Sequence, residues 1–373
     1  MKILVLTSRY TATRDIIGED FGRQTRLFSS LKKLDHNIDF LVADYRKHER
    51  KNVKLHGINV MVRPFGIFSF IKFIFELRNI VTKKKYDYLI STSDPLWGIL
   101  GSMILYNTET GFVYDWHDNY ETYKSYGIPF FGWIDKISMK KADIVLTVSR
   151  ALKDKLSRER MYDIFVVQNG VDLDLFKPMG KMKCRYSLGL PKNAKIIAYA
   201  GSIQQRQGVD LLVKVFSKLK KEINNLKLVV AGRFVAGHEG KIDLKQDGII
   251  HLSLNQQNVA KLINAADVAV VPNKDDEFTR YCFPYKVVEY MACNTPIVAT
   301  RLGDVELLLK DFKDSLCNAD DERDMHGKIK IQLKKGKISY RKKLKDFTWD
   351  RIALTLDKIL KEHLKKLSAH RNL

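Results

Sequence analysis

Short apolar runs recur along this chain with helical segments between most of them, and that alternation restricts the fold more than any other feature. Residues 2–7 are apolar enough for a strand buried on both faces. A polar loop containing Gly18 follows, and from residue 23 on Leu27, Phe28, Leu31 and Leu34 stand at helical spacing. Strands are expected again at residues 38–42, 59–62, 88–91, 111–115, 144–148 and 164–167. Strand alternating with helix predicts the α/β class, with parallel sheets covered by helices on both faces. The rhythm breaks once, at Gln168, Asn169, Gly170, Val171 and Asp172, running on to Phe176, Lys177 and Pro178. It restarts with strands at 195–200, 226–231, 249–252, 268–271 and 296–299 and helices at 209–222, 259–265, 286–292 and 305–309. A chain of 373 residues is too long for one ordinary core. The reading is therefore two doubly wound domains in series, residues 1–170 and 171–348. A last amphipathic helix over 349–373 carries Ile352, Leu356, Ile359 and Leu360 on one face.

Charge narrows the partners. The formal net charge is +22, which favours anionic ligands or surfaces. No nucleic-acid partner is expected, because the basic residues are spread over both domains and no recognition motif appears. Residues 325–345 hold nine Lys or Arg and no acid; they read as a solvated helix face, with a surface for anionic lipid as the alternative. Cys184, Cys282, Cys293 and Cys317 form no C-x-x-C pair and no zinc spacing, so buried thiols in a reduced compartment are expected, and no metal. The N-terminus turns polar too soon for a signal peptide. No stretch reaches the ~18 uninterrupted apolar residues of a spanning helix; the richest, residues 65–77, contains Lys72 and Glu76. A cytoplasmic location is expected.

Open parallel sheets bind ligands beyond the carboxyl ends of their strands, so the loops after the strands are where chemistry is expected. Gly18 precedes a helix, where a backbone amide and the helix N-terminus can meet a phosphate; a plain turn glycine is the other reading. The second domain opens with a strand, a loop running Gly201, Ser202, Ile203, Gln204, Gln205, Arg206, Gln207 and Gly208, and a helix. Its one guanidinium offers a planar fork to phosphate oxygens. His117 follows an apolar strand, with Asp115 and Asp118 on either side. It is placed to hydrogen-bond a substrate hydroxyl or to move a proton, though a lone histidine is also often structural. The densest block runs Phe283, Pro284, Tyr285, Lys286, Val287, Val288, Glu289, Tyr290, Met291 and Ala292. A carboxylate at Glu289, inside a helix, suits a ribose, since its two oxygens can accept both hydroxyls.

In this order and spacing the blocks resemble the retaining glycosyltransferases of family 4, whose GT-B fold sets two Rossmann-like domains across a cleft. The resemblance spans nearly the whole chain. It rests on the Gly18 loop, His117, the linker Asn169, Gly170, Val171 and Asp172 with Phe176 and Pro178, the loop from Gly201 to Gly208, and Glu289, Tyr290, Met291 and Ala292 with Pro296, Ile297, Val298 and Ala299. It implies transfer of a sugar from a nucleoside-diphosphate sugar to a hydroxyl acceptor, with retention by front-face attack. No cofactor or metal is implied, because positive side chains and helix N-termini stabilise the leaving diphosphate. By position, Gly18, Gly201, Ser202, Arg206, Gln207 and Lys286 would meet the diphosphate, Glu289 the ribose, and His117 the transferred sugar as the catalytic histidine. Tyr281, Phe283, Pro284 and Tyr285 would surround that sugar, and the last helix would cross back onto the first domain. Ser202 and Gln207 stand where the family often has Arg and Lys, and Tyr281 where it often has a second Glu.

Those departures keep a second reading open, a catalytically silent relative acting as a binding or partner subunit. An oxidoreductase is disfavoured because no G-x-G-x-x-G follows either opening strand, and the linker and the Glu289 block argue against a sugar-nucleotide epimerase. Two aromatic stretches in the first domain, residues 65–77 and 126–134, suggest a peripheral position on the inner face of an anionic membrane and a lipid-linked or cell-surface glycan precursor as acceptor. Core helices are the alternative for both stretches.

Overall fold

The strands Lys2–Ser8 (β1), Asn37–Asp44 (β4) and Tyr88–Thr92 (β7) are almost wholly apolar and almost wholly buried, as the centre of a parallel sheet requires. The computed structural model describes residues 1–371 other than 12, 13, 21, 162 and 284, with side chains as far as residue 366. The chain divides into two compact units, Met1–Asn169 with Trp349–Leu373, and Gly170–Thr348.

In the first unit, β1 leads into a two-strand hairpin, Tyr10–Thr11 (β2) and Arg14–Asp15 (β3), then Arg23–Lys32 (α1) and β4. Lys51–Leu55 (β5), Ile58–Pro64 (β6), Phe70–Lys84 (α2), β7, Pro95–Ile104 (α3) and Gly111–Trp116 (β8) follow. Phe131–Lys141 (α4), Ile144–Thr147 (β9), Arg150–Leu156 (α5) and Ile164–Val166 (β10) complete the run. The strand order is β10-β9-β8-β7-β1-β4-β6-β5. All neighbours are parallel except β5 with β6. That antiparallel edge has no apolar run to announce it: Lys51, Asn52 and Lys54 are exposed.

Gly170–Thr348 holds a six-stranded parallel sheet. Its elements are Lys181–Ser187 (α6), Lys195–Ala200 (β11), Val209–Glu222 (α7), Leu226–Ala231 (β12), Ile249–Leu252 (β13), Gln256–Ala265 (α8), Val268–Val271 (β14), Tyr285–Ala292 (α9), Ile297–Thr300 (β15), Asp304–Leu309 (α10), Leu316–Cys317 (β16) and Glu322–Gln332 (α11). The order is β13-β12-β11-β14-β15-β16. The basic run at 325–345 is not one solvated face. Helix α11 ends at Gln332, Met325 and Ile329 are buried, and Arg341 turns inward to donate to the carbonyls of Leu173, Phe176 and Ala292.

The final helix, Trp349–Arg371 (α12), belongs to the first unit and packs on α1. His36 Nε2 lies 2.7 Å from Asp357, and Tyr88 donates to the Leu360 carbonyl at 3.1 Å. The aromatic stretch at 65–77 divides by helical periodicity. Phe73 and Leu77 enter the core, with Phe65, Phe70 and Ile74 packed against it, while Ile67, Phe68, Ile71 and Phe75 face outward.

Candidate active site

Each unit carries a cluster at the carboxyl ends of its parallel strands. In the second unit β11 has β12 on one side and β14 on the other, so the chain leaves its carboxyl end in both directions and opens a crevice there. The loop beyond β11 is built on two glycines. A Cβ at Gly201 would come within 2.6 Å of Lys286 Cε, and one at Gly208, whose φ is +68°, within 1.7 Å of the Pro272 carbonyl oxygen. At Gly208 the neighbour is backbone, so only glycine fits there; at Gly201 it is the far end of the Lys286 side chain.

Helix α9 lies against this loop because its side chains are tied to it. The Ala200 amide donates to Tyr290 Oη at 2.9 Å, and Tyr290 is fully buried. Lys286 Nζ donates to Gln207 Oε1, lies 3.2 Å from Tyr199 Oη and sits 4.7 Å from the centre of the Tyr199 ring. Burial pushes the Lys286 ammonium down to about 8, with Cys282 and Glu289 pulling the other way. The Arg206 guanidinium lies 4.7 Å from the Phe278 ring, and no carboxylate among the described residues pairs with it. Ser202 is exposed in the same loop. Glu289, half-buried, follows Lys286 by three residues on α9.

The four residues expected around the sugar fare differently. Phe283 is buried and stacks on Phe347, so its ring is engaged in packing. Tyr281 and Tyr285 are half-buried beside it. Pro284 lies outside the described residues.

In the first unit the cluster gathers beyond β1, β7 and β8. His117 follows β8 and is largely buried. Its Nδ1 is 3.3 Å from Thr92 Oγ1 and 3.2 Å from Tyr120 Oη, and its Nε2 is 3.7 Å from Asp118. Thr92 donates to the Asp115 carboxylate at 2.8 Å and Tyr120 to the Asp115 carbonyl at 3.1 Å. With both hydroxyl protons committed to Asp115, Nδ1 is placed to donate to the two hydroxyl oxygens, and Nε2 lies on the Asp118 side of the ring.

Behind the histidine, Arg23 forms two 3.0 Å bonds to the Asp115 carboxylate and reaches the Gln168 carbonyl and the Asn169 side chain. Burial by itself raises the Asp115 carboxyl, but Arg23, His117 and Thr92 outweigh it and hold the group ionised below the usual range. Burial wins at two neighbours: the carboxyls of Asp94 and Asp118 are both raised, against smaller contributions from His117. One site thus holds a carboxylate kept ionised beside two whose protons are held more tightly.

Gly18 is engaged within its own loop. Its amide and that of Ile17 both donate to Asp15 Oδ1 at 3.1 Å, and Asp15 is bound in turn by Arg9. Among the described residues no three His, Cys, Asp or Glu side chains gather to hold a metal ion.

Arg23, Asp94, Thr92, Tyr120 and Tyr199 join these clusters without a signal in the sequence, while Tyr290, already part of the Glu289 block, gains its contact with the Ala200 amide only in the fold. Arg23 and Asp115 are 92 positions apart and meet only through the sheet. The one available hint was a charged residue, Asp115, inside an apolar strand.

Residues 25–175 match the family model described as glycosyltransferase family 4, and residues 194–334 the one described as glycosyl transferases group 1. D-inositol 3-phosphate glycosyltransferases of Mycobacterium leprae and Mycobacterium tuberculosis are 30% identical over 162 residues, which is 40% of this chain. The aligned stretch is 35% and 31% of those proteins, so the chain spans about a third of the length of the curated relatives it matches. Among solved structures, the sucrose-phosphate synthase of Thermosynechococcus elongatus superposes with a TM-score of 0.78 at 17% identity, covering 98% of this chain and 100% of that one. Anabaena HepE in complex with UDP gives 0.70 at 16% identity, covering 99% and 100%. The fold is that of the GT-B glycosyltransferases.

Proposed function

Because the chain belongs to glycosyltransferase family 4, we propose that it moves a sugar from a nucleoside-diphosphate sugar to an acceptor hydroxyl. The observation that carries the donor half is the pair of cations on the β11 loop. Lys286 reaches Gly201 from α9 and Arg206 lies over Phe278, and neither forms an ion pair with a carboxylate among the described residues. Two cations, Arg206 in the glycine loop and Lys286 reaching it from α9, at the carboxyl end of a central strand suit a diphosphate. Gly201, Ser202 and Gln207 shape that site, and Glu289 takes the ribose. Tyr281, Tyr285 and the chain around Phe283 border the sugar.

The chemistry follows from where charge develops. As the bond to the diphosphate breaks, negative charge grows on the leaving oxygen, and Lys286 and Arg206 stabilise it more than they stabilise the bound donor. Positive charge grows on the transferred sugar, and His117, with the ionised Asp115 3.9 Å from its Nδ1, is the residue we assign to meet it. UDP, the nucleotide in the Anabaena complex, is the first ligand to test. Glu289→Gln and Arg206→Ala should each lose about 1.5–3 kcal/mol of UDP binding by calorimetry. Unchanged affinity in both folded variants overturns the donor assignment.

For the acceptor we infer a lipid-linked substrate at an anionic bilayer. Ile67 and Phe68 are 91% and 103% exposed, and Ile71 and Phe75 follow on α2. Met103 and Tyr106 continue the apolar surface at the end of α3, and Ile128, Phe130 and Trp133 carry it to α4. The three helices are neighbours: Arg78 of α2 donates to the Tyr106 carbonyl, and Ser102 of α3 to Ser138 of α4. So many large apolar side chains on one face mark a contact surface, and Lys72 among them suits a headgroup boundary. No described helix is long and apolar enough to cross a membrane. Sedimentation with anionic liposomes should weaken in a folded Phe68→Ser, Phe130→Ser double variant and as salt rises. Protein that stays in the supernatant at low salt points to a soluble acceptor instead.

A further inference from the structure

The loop after β4, residues 45–50, is held by a buried ion network that the transfer chemistry does not use. Asp44, fully buried, accepts the amides of Arg46 at 3.1 Å, Lys47 at 3.0 Å and Glu49 at 3.1 Å. Arg9, also buried, bonds Asp44, Glu49 and Asp15, each at 2.8 Å. The network takes the one acid of the segment, Glu49, toward Arg9. It leaves Arg46, Lys47 and His48 facing solvent, and none of these three has a carboxylate partner among the described residues. His48 holds a φ of +52°, a strained value for a residue with a side chain.

Arg46 is fixed as well as exposed. Its guanidinium lies 4.5 Å from the centre of the Tyr10 ring and 5.7 Å from that of Tyr45. The rings pack edge to face at 5.6 Å, and Tyr45 donates to the Tyr10 carbonyl at 3.2 Å. The Tyr10 hydroxyl is buried and has no hydrogen-bond partner among the described residues. A planar cation already oriented by aromatic faces has lost part of the side-chain freedom that binding would otherwise remove. It stands at the carboxyl ends of β1 and β4, where an open parallel sheet takes ligands. On its other side the loop adjoins the apolar face, since a Cβ on Gly66 would come within 3.1 Å of the His48 ring, and Ile67 and Phe68 follow directly.

We propose that this loop is an anion subsite that receives a phosphate group of the acceptor, with Arg46 as the residue that recognises it and Lys47 and His48 adding charge. The inference rests on the reading of the chain as a transferase, and it names the acceptor's class: a phosphorylated one. The planar fork of Arg46 suits two phosphate oxygens at once. The phosphate can belong to a lipid headgroup or to a soluble phosphomonoester, and one experiment separates the two.

Arg46→Ala and Arg46→Lys are compared with the unaltered chain. Glycerol 3-phosphate binding is followed by calorimetry, and sedimentation is followed with phosphatidylcholine vesicles containing or lacking phosphatidic acid. UDP affinity serves as the control and should be unchanged in both variants. Loss of about tenfold or more in glycerol 3-phosphate affinity in Arg46→Ala, with a smaller loss in Arg46→Lys, assigns a soluble phosphorylated acceptor. The same loss confined to vesicles with phosphatidic acid assigns a lipid headgroup. If the unaltered chain binds neither probe, or Arg46→Ala binds both as well as it does, the subsite is overturned. Failure of the unaltered chain to bind UDP counts against the donor reading instead.

Discussion

Lys286→Met should make the protein more stable and a poorer binder at the same time. Burial lowers the Lys286 ammonium from 10.5 to about 8, so the fold holds this charge at a cost. At ~1.4 kcal/mol per pKa unit the shift sets a ceiling of about 3 kcal/mol; Lys286 is partly exposed, and solvent screening reduces this to about 1–2 kcal/mol. The unfolded chain keeps the proton up to about pH 10.5 while the folded chain releases it near 8. Stability therefore rises with pH across that window, and methionine removes the dependence. Urea denaturation at pH 7 and pH 10 measures both effects. Binding responds in the opposite sense. Only the protonated amine attracts a diphosphate, so UDP affinity should fall by about tenfold per pH unit above pH 8, and at pH 7 the variant should lose about ten- to a hundredfold. Calorimetry from pH 7 to 9.5 checks this. Wild-type affinity that stays flat over that range, or a variant that binds UDP normally, refutes the role given to Lys286.

His117→Ala should lower kcat strongly while UDP affinity stays near normal, as expected of a residue that meets the sugar and not the nucleotide; normal turnover would make the histidine structural. Gly208→Ala forces a left-handed φ on alanine and drives its Cβ into the Pro272 carbonyl. It should cost at least about 2 kcal/mol in denaturation and weaken UDP binding as the loop shifts. Arg23→Met leaves the Asp115 carboxylate buried without its partner and should cost about 3–5 kcal/mol by urea denaturation; adding Asp115→Asn should recover part of that loss, and no recovery would mean that Arg23 acts through its contacts to residues 168 and 169 alone.

The strands buried on both faces were legible because their composition leaves no other place for them. Residues 195–200, 226–231 and 268–271 are strands at the same boundaries in the structure, and so is the less buried edge strand at 249–252. The edge strand β5 was not, since one of its faces is solvated and its Lys and Asn residues resemble a loop. Glycine 201 was visible as a loop residue, but its close neighbour, the Lys286 side chain, comes from a helix 85 positions later. The Gln207–Lys286 contact also gives the unusual residue at 207 a physical setting: a lysine from α9 stands at the loop where the sequence lacks one. Pairings of this kind leave no periodicity behind. They arise when separate strands end side by side.

The large positive charge resolves once each cation is sorted by what holds it. Arg160 donates to the carbonyls of Met139, Lys140, Ala142 and Asp143, and Arg185 to those of Ala265, Lys192 and Ala194 and to Asp267. Arg9, Arg23 and Arg341 are likewise bound by acids, carbonyls or both. Their charge is answered internally, and their work is to join segments. Arg46, Arg206 and Lys286 are held in another way, each against an aromatic ring and none in an ion pair with an acid among the described residues. A ring orients a cation while leaving most of its field available to a ligand, whereas a carboxylate cancels that field. Lys2 also lies over a ring, that of Tyr86, but it does so at the amino end of β1, and its amine donates to the Lys84 carbonyl. At the carboxyl ends of the strands the proposed anion sites share a cation placed by an aromatic face and left without an ion-pair partner among the described residues, whereas Arg9, which also lies over the Tyr10 ring, is taken up by three acids.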